Sequence, residues 1–371
     1  MENNSWDVIL TRSEAIAPFP RLEGAATCLS KAGLRCLAVG WDREARHAAT
    51  QKGEGFDIMR AQFRGKYGGG IQNLYGILRW SLWLFHVHCK LRPKVIHAYD
   101  FDTIIPALIA RSFIKCKVVY DIADWYAASR RVGWLGPLLA RAERLACRKA
   151  DLVIIAHEAR LQQIGFVPQK LLVLYNVPQD RYEMVSQAGR HDYFVYVGVL
   201  QPDRGLKQII ASVSNLGVKL IIGGFGPEEI YCKTMASMQE NIEFLGKIPY
   251  EQTLKLEASA LAILALYDPA WPNNRLAAPN KLYEAMMLGR PLITTRETLV
   301  GQFVEQEKIG IAVTYGDIQE LTEALKRLRD NPEEGEEMGR RARTLYETRY
   351  SFSKQCEKLI EAYRELCPTC F

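Results

Sequence analysis

Residues 193–206 decide the fold, and they read YFVYVGVLQPDRGL. Five apolar residues in succession predict a buried strand, Gly198 predicts a turn, and the residues after Gly205 begin a helix. The same order of a short apolar strand and a helix-length segment recurs along the whole chain. We predict strands at residues 6–10, 35–39, 57–60, 95–98, 117–120, 152–155, 171–175, 193–197, 219–222, 242–245, 261–265, 291–295 and 310–313. This alternation predicts an α/β fold with parallel sheets and crossover helices.

Thirteen strands are too many for one open sheet, so we expect a break in the series. A turn-rich and then polar stretch at residues 176–192 marks it, and a new strand–helix series begins at Tyr193. The predicted organisation is two doubly wound, Rossmann-like domains, residues 1–178 and 190–350, with a last helix at about 354–371 that packs back on the first domain. Ligands of such folds bind at the carboxyl ends of the strands. Two facing sheets would therefore place a two-substrate reaction in an inter-domain cleft.

The cysteines and the N-terminus bear on the cellular compartment. The chain has 371 residues and nine cysteines, an odd number without a regular spacing. We therefore expect free thiols and a cytoplasmic location. No secretory leader is expected, because Asp7 and Arg12 interrupt the N-terminus. Residues 71–89 are apolar enough to be tested as a membrane span, but their polar side chains favour a buried helix, with a helix at a membrane interface as the alternative. Those polar residues are Gln72, Asn73, Arg79, His86 and His88.

Charge is unevenly distributed along the chain. Residues 1–185 carry 26 Lys and Arg against 17 Asp and Glu, whereas residues 186–371 carry 22 against 25. The basic first half indicates an anionic partner. Nucleic acid is disfavoured, because the basic residues are not interleaved with stacking aromatic residues. An anionic lipid surface or a phosphorylated acceptor fits better. The loop at residues 64–70 and the helix that carries Trp80 and Trp83 are candidates for membrane contact.

Three glycine-containing strand ends in the second half are candidate ligand sites. Arg204 and Gly205, after the turn at Gly198, would place an arginine and free amides at a helix start, an arrangement that attracts phosphate. The alternative is a surface turn with a solvated arginine. Gly224 and Gly226 let a ligand approach the backbone. A further glycine turn at residues 244–249 could present backbone groups to a base.

Residues 277–291, AAPNKLYEAMMLGRP, form the most informative segment. Proline predicts the helix start, and the glycine and second proline predict its end. Glu284 lies within an apolar helix, where a carboxylate is costly without a partner. The two hydroxyls of a ribose would be such a partner. The alternative is an ordinary solvated helix position.

Together these segments resemble the retaining glycosyltransferases of family 4, which have the GT-B fold. The resemblance covers nearly the whole chain and is strongest over residues 193–346. It rests on the Gly198 turn with Arg204 and Gly205, on the GFGP turn at 224–227, on the FLG strand end at 244–246, and on the NKLYEAMMLGRP helix at 280–291. The resemblance implies a nucleotide-diphosphate sugar as co-substrate, retention of configuration, and neither a metal nor another cofactor. Its implied donor-binding residues are Gly198, Arg204, Gly205, Gly224, Gly226, Ile248, Asn280, Lys281, Leu282 and Glu284.

Within that resemblance, Arg204 would bind the diphosphate, Glu284 the ribose, and Ile248 would lie beside the base. The chain departs from the family at three positions. Leu276 stands where the family has a second glutamate that contacts the sugar, and Val199 stands where an arginine is common. Ala123 stands where relatives often have a histidine. Lys281 could supply the missing positive charge.

The first half offers three candidate acceptor-side or catalytic residues, His97, Asp121 and Asp124. The alternatives are a packed strand-end histidine and aspartates that cap a helix. Cys367 and Cys370 have the spacing of metal ligands without a second pair, so a frayed tail is favoured over a metal site.

The resulting prediction is a glycosyltransferase that moves a hexosyl or N-acetylhexosaminyl group to an acceptor such as a lipid-linked or cell-surface glycan precursor in polysaccharide biosynthesis. It would act in the cytoplasm, with the inner face of the plasma membrane as a candidate peripheral location and no nucleic-acid partner. The alternatives are a nucleotide-sugar 2-epimerase of the GT-B fold and a non-catalytic relative that acts as a binding subunit.

Overall fold

The computed structural model describes residues 6–16, 19–53, 55–65, 74–129, 135–185, 189 and 191–371. The chain forms two compact units. Unit 1 comprises Met1–Tyr175 and Ser353–Phe371, and unit 2 comprises Asn176–Phe352. The change of unit therefore lies within the turn-rich segment that begins after the seventh predicted strand.

Unit 1 contains an eight-stranded sheet in the order β3-β4-β2-β1-β5-β6-β7-β8. Its strands are β1 (Val8–Arg12), β2 (Cys36–Trp41), β3 (Thr50–Lys52), β4 (Asp57–Ala61), β5 (Val95–Tyr99), β6 (Lys117–Ile122), β7 (Leu152–Ile155) and β8 (Leu171–Val173). All pairs are parallel except β3 with β4. The sequence prediction missed β3, because this exposed edge strand carries three polar residues and no apolar alternation.

The helices of the first 175 residues are α1 (Pro20–Lys31), α2 (Leu74–Leu91), α3 (Phe101–Arg111), α4 (Tyr126–Ser129), α5 (Gly136–Lys149) and α6 (Leu161–Ile164). α3 packs against α2 and against α5, so these three helices form one layer. α1 begins with Pro20, where the missing N–H costs no helical hydrogen bond.

The tryptophans of α2 pack into unit 1. Trp80 is fully buried and stacks on Trp41 at 5.8 Å between ring centroids, and half-buried Trp83 stacks on Trp80 at 5.5 Å. One side of α2 is therefore buried, as the sequence predicts. Among the helices of the described segments, none combines the length and apolarity needed to cross a bilayer.

Arg60 precedes the predicted membrane-contact loop at residues 64–70 and is part of the sheet. Arg60 lies on β4, is buried, and donates to the carbonyl oxygens of Ala15, Ile16 and Ala48. It fixes the main chain after β1 and is not available to a lipid. Residues 66–70 of the predicted membrane-contact loop lie outside the described residues.

Unit 2 contains a six-stranded parallel sheet in the order β11-β10-β9-β12-β13-β14. Its strands are β9 (Tyr193–Val199), β10 (Lys219–Phe225), β11 (Ile242–Gly246), β12 (Ala262–Ala265), β13 (Leu292–Thr295) and β14 (Gly310–Val313). Its helices are α7 (Tyr182–Val185), α8 (Leu206–Leu216), α9 (Glu229–Met238), α10 (Tyr250–Ser259), α11 (Pro272–Arg275), α12 (Asn280–Leu288), α13 (Leu299–Glu307), α14 (Ile318–Asp330) and α15 (Pro332–Leu345). All thirteen predicted strands are present in the two sheets, with their ends shifted by at most three residues.

The last helix, α16 (Phe352–Leu366), belongs to unit 1. Gln355 accepts a hydrogen bond from the amide of Tyr175 at 3.1 Å, and Cys356 forms a disulfide with Cys28 of α1. Cys367 and Cys370 form a second disulfide, across a 3₁₀ turn. The expectation of free thiols was therefore wrong for these four cysteines. Sequence spacing did not reveal the longer pair, because 328 positions separate its members.

Candidate functional site

Arg204 is held at the start of α8 by three side chains that the sequence analysis did not single out. Its Nη1 donates to Oδ1 of Asn274 at 3.1 Å and lies 3.4 Å from Oδ2 of Asp203. Its guanidinium carbon lies 5.0 Å from the ring centroid of Tyr267. Gly205 follows in the left-handed conformation (φ 63°) and caps α8. The arginine is therefore anchored beside the N-terminus of α8, where an anion is favoured.

Asn274 fastens the polar loop before α12 to this turn. It is buried on α11, and its Nδ2 donates to Oδ2 of Asp203 at 2.9 Å and to the carbonyl of Asp268 at 3.0 Å. The only sequence signal for it was its position in a long polar loop. Because the Asn274 side chain is hydrogen-bonded to both Asp203 and Arg204, it orients the guanidinium group of Arg204.

The glycines at the ends of β9 and β10 bring two backbones close together. Gly224 (φ 140°) and Gly226 (φ 149°) have backbone φ angles that residues with a side chain rarely adopt. A Cβ at Gly224 would overlap the carbonyl of Gly198, and one at Gly226 would overlap that of Leu200. Ile248 lies beside Gly223, since its Cδ1 would be 3.2 Å from a Cβ there. The structure thus brings the predicted Gly198, Gly224, Gly226 and Ile248 to the carboxyl edge of the unit 2 sheet.

Glu284 belongs to a buried cluster of three charged side chains. Lys281 Nζ lies 2.7 Å from Oε2 of Glu284 and 2.6 Å from Oε1 of Glu257. The side chain of Glu284 is 4% exposed and that of Glu257 is fully buried. The alternative of a solvated Glu284 is therefore wrong. Glu257 was missed by the sequence analysis, because α10 gives no local sign that this position faces α12.

Electrostatics links the Lys281 cluster to the Arg204 turn. Burial lowers the pKa of Lys281, but Glu257 and Glu284 outweigh it and the pKa rises well above its usual value. Burial raises the pKa of Glu257, and Lys281 opposes this shift. Burial also raises the pKa of Tyr267, which lies within electrostatic reach of Arg204, Lys281 and Glu284. The cations and the carboxylate assigned to the donor therefore gather around one tyrosine.

Asn280, Lys281 and Leu282 form the first turn of α12, directly after Pro279. Leu282 is buried and its N–H donates to the Pro279 carbonyl at 3.2 Å. Leu276, at the position of the missing family glutamate, ends α11.

In unit 1, His97 and Asp121 lie in a closed network. Asp121 accepts hydrogen bonds from Arg21, with Nη2 at 2.7 Å, and its Oδ2 lies 3.2 Å from His97 Nε2. His97 Nδ1 lies 2.7 Å from the hydroxyl of Tyr363 on α16. Burial raises the pKa of Asp121, but Arg21 and His97 outweigh it and the pKa falls. Both side chains are fully buried, which argues against direct contact with an acceptor and supports the alternative of a packed histidine.

Asp124 is exposed, and its Oδ1 accepts from Arg160 at 3.2 Å. In the helix that follows it, the amides of Tyr126 and Ala127 donate to Glu143 at 2.8 and 3.0 Å. Of the three acceptor-side predictions, Asp124 alone reaches the surface.

Arg12 and Asp100, at the ends of β1 and β5, were missed by the sequence analysis. Arg12 Nη1 lies 2.8 Å from Oδ2 of Asp100, and burial raises the pKa of Asp100 to about 6 although Arg12 opposes it. A carboxylate two residues after the predicted strand at residues 95–98 was the available signal. Within the described segments, no three His, Cys, Asp or Glu side chains are grouped so that they could hold a metal ion.

Each unit of the chain has an α/β fold built on a largely parallel sheet. The second unit adds an arginine at a helix start and a buried glutamate. This combination is that of the GT-B class. Residues 20–176 match the family model described as "Glycosyl transferase 4-like domain", and residues 183–345 match "Glycosyl transferases group 1". The chain belongs to the family 4 glycosyltransferases.

Similar proteins support this assignment. A glycogen synthase of Mycobacterium tuberculosis is 25% identical in an alignment of 273 residues that covers 68% of this chain and 64% of that protein. The chain thus spans about two thirds of the length of this curated relative. Sucrose-phosphate synthase from Thermosynechococcus elongatus aligns with a TM-score of 0.76 at 14% identity, covering 98% of this chain and 99% of that chain. Anabaena HepE in complex with UDP-glucose aligns with a TM-score of 0.71 at 16% identity, covering 96% and 99%.

Proposed function

We propose that the protein is a glycosyltransferase whose unit 2 binds a nucleotide-diphosphate sugar and whose unit 1 binds the acceptor. The observation that carries the proposal is the buried Glu284, held by Lys281 near the anchored Arg204. A carboxylate fixed in this way can accept hydrogen bonds from ribose hydroxyls, while a forked cation at a helix N-terminus suits a diphosphate. Ile248, beside the glycines of β10, is assigned to the base.

The proposed chemistry uses stabilisation of the leaving group. The bond between the sugar C1 and the diphosphate oxygen breaks, and a bond from C1 to the acceptor oxygen forms on the same face. The acceptor proton passes to an oxygen of the departing diphosphate. Arg204, Lys281 and the amides of α8 would stabilise the charge that develops there. A mechanism that uses no side-chain base is consistent with the full burial of Asp121 and His97. Retention of configuration and independence of a metal are part of this proposal.

For the acceptor we propose a lipid-linked or cell-surface glycan precursor, with a hexosyl or N-acetylhexosaminyl group as the sugar transferred. The excess of basic residues in the first half supports an anionic or membrane-borne acceptor. A cytoplasmic location at the inner face of the plasma membrane fits this charge. Because four cysteines form disulfides, the expectation of free thiols no longer supports a cytoplasmic location. The proposed location therefore depends on the charge alone.

A donor screen tests the proposal. UDP-, GDP-, ADP- and dTDP-sugars are incubated with the protein, with and without a lipid extract, and released nucleoside diphosphate is measured. Release that needs an acceptor supports the transferase. Conversion of the donor without any acceptor would identify a 2-epimerase instead. Donor binding without turnover under every condition would identify a non-catalytic binding subunit, which Leu276 and Ala123 make the second candidate.

A further inference from the structure

The outer surface of the layer formed by α2, α3 and α5 exposes a group of large apolar side chains. Leu82 is 69% and Phe113 is 70% exposed. On each helix these side chains recur at intervals of three, four or seven positions, so they form stripes on the side away from the sheet. The residues are Tyr75, Leu78 and Leu82 on α2, Ile105 and Ile109 on α3 with Phe113 just beyond it, and Leu138 and Leu145 on α5. We call this surface the helical face.

The stripes lie on neighbouring helices. α3 lies between α2 and α5 and packs against both. The ring of Phe113 meets that of Phe85 on α2 edge-on, with centroids 5.6 Å apart. Exposed apolar groups that adjoin in this way are uncommon on a soluble monomer and mark an interaction surface.

The charges of these helices are almost all positive. They carry Arg79, Lys90, Arg111, Arg141, Arg144, Arg148 and Lys149. Their acidic residues are Asp102 and Glu143, and Glu143 is fully buried. The helical face therefore combines apolar stripes with basic side chains on both flanking helices, α2 and α5.

We propose that the helical face docks unit 1 on an anionic lipid bilayer. Apolar side chains would enter the boundary of the acyl chains, while the basic side chains would contact anionic headgroups. A second copy of the chain is a poorer occupant, because two identical faces would oppose positive charges. This proposal deepens the proposed function by making the acceptor lipid-borne. It concerns a different surface from the donor site, so vesicle binding and nucleotide binding can fail independently.

The test is co-sedimentation of the full chain with vesicles of phosphatidylcholine alone or with about 30% phosphatidylglycerol, at low and high salt. Binding should appear with the anionic lipid and fall as salt screens the charges. The double variant Arg141→Glu with Arg148→Glu should lower partitioning at least about tenfold, because each nearby basic residue contributes to the attraction. Ile109→Asp with Phe113→Asp should also lower it at least about tenfold, through lost insertion.

The matched control lies on α9 of unit 2. Ile230 is 80% exposed and Lys233 is also exposed, so Ile230→Asp with Lys233→Glu makes comparable changes away from the helical face. This control should bind vesicles as the unsubstituted protein does. Circular dichroism checks folding, and the lipid and salt dependence of the unsubstituted protein tests the proposal even if a variant misfolds.

Two results would overturn the proposal. The first is sedimentation that does not depend on the anionic lipid, or that the α9 control reduces as much as the helical-face variants do. The second is a dimer, seen by sedimentation velocity, that Ile109→Asp with Phe113→Asp dissociates, since the occupant would then be a second copy.

Discussion

Replacing Glu284 by glutamine is expected to weaken binding of a nucleoside diphosphate by about ten- to 150-fold. In the structure, Oε2 of Glu284 is paired with Lys281, and the proposed function assigns the ribose hydroxyls to this carboxylate. Hydrogen bonds to a charged group contribute about 1.5–3 kcal/mol, which gives the stated range. The fold should persist, because Lys281 keeps Glu257 at 2.6 Å in the variant.

Titration calorimetry with a nucleoside diphosphate and with its 2′,3′-dideoxy analogue isolates this interaction as a thermodynamic cycle. The unsubstituted protein should lose affinity when the hydroxyls are removed, whereas Glu284→Gln should bind both ligands about equally. Glu251→Gln, an exposed position on α10, is the control and should leave both affinities unchanged. An equal loss for both ligands in Glu284→Gln would refute the assignment of Glu284 to the ribose.

Three further perturbations follow from the same structure. Arg204→Lys keeps the positive charge but loses the two-pronged guanidinium donor. Calorimetry should therefore show a larger loss of affinity for the nucleoside diphosphate than for the nucleoside. Equal losses of affinity would show that Arg204 does not contact the phosphates. Because burial raises the pKa of Glu257, the native state keeps its proton to higher pH, and stability falls as pH rises through that raised pKa. Urea unfolding at a series of pH values should show a smaller fall in the free energy of unfolding for Glu257→Gln than for the unsubstituted protein. The same pH dependence in both proteins would contradict this prediction. Cys356→Ser should lower the thermal midpoint and make it less sensitive to reductant, because the disulfide closes a loop across 328 positions, and an unchanged midpoint would show that this disulfide does not form.

Local sequence patterns were sufficient to predict the strands, but they were insufficient to predict all the residues of the candidate site. Apolar runs and glycine turns located all thirteen predicted strands, whereas the edge strand β3 has no apolar run and was missed. The Arg204 turn and the α12 motif were found because each is continuous in sequence. Asn274 and Glu257 were missed, because each acts through a side chain that lies far from it along the chain.

The acceptor-side predictions show the same limit. A histidine and an aspartate at strand ends are equally compatible with a binding site and with a buried network. Only the positions of Arg21 on α1 and Tyr363 on α16 show that His97 and Asp121 pair with the protein itself. The sequence predicted that the last helix packs on the first domain, but not that Tyr363 of this helix meets His97.

By itself the sequence determined the parallel α/β architecture and the placement of Glu284 inside a helix. These follow from periodicity and turn chemistry, which act over a few neighbouring residues. Tertiary structure decided which carboxylates share Lys281, which cysteines pair, and which face of α2 is covered. Trp80 is buried and Leu82 is exposed because the side of α2 that meets the sheet depends on its packing against β2 and α3. Two apolar residues separated by one position give no local sign of that choice.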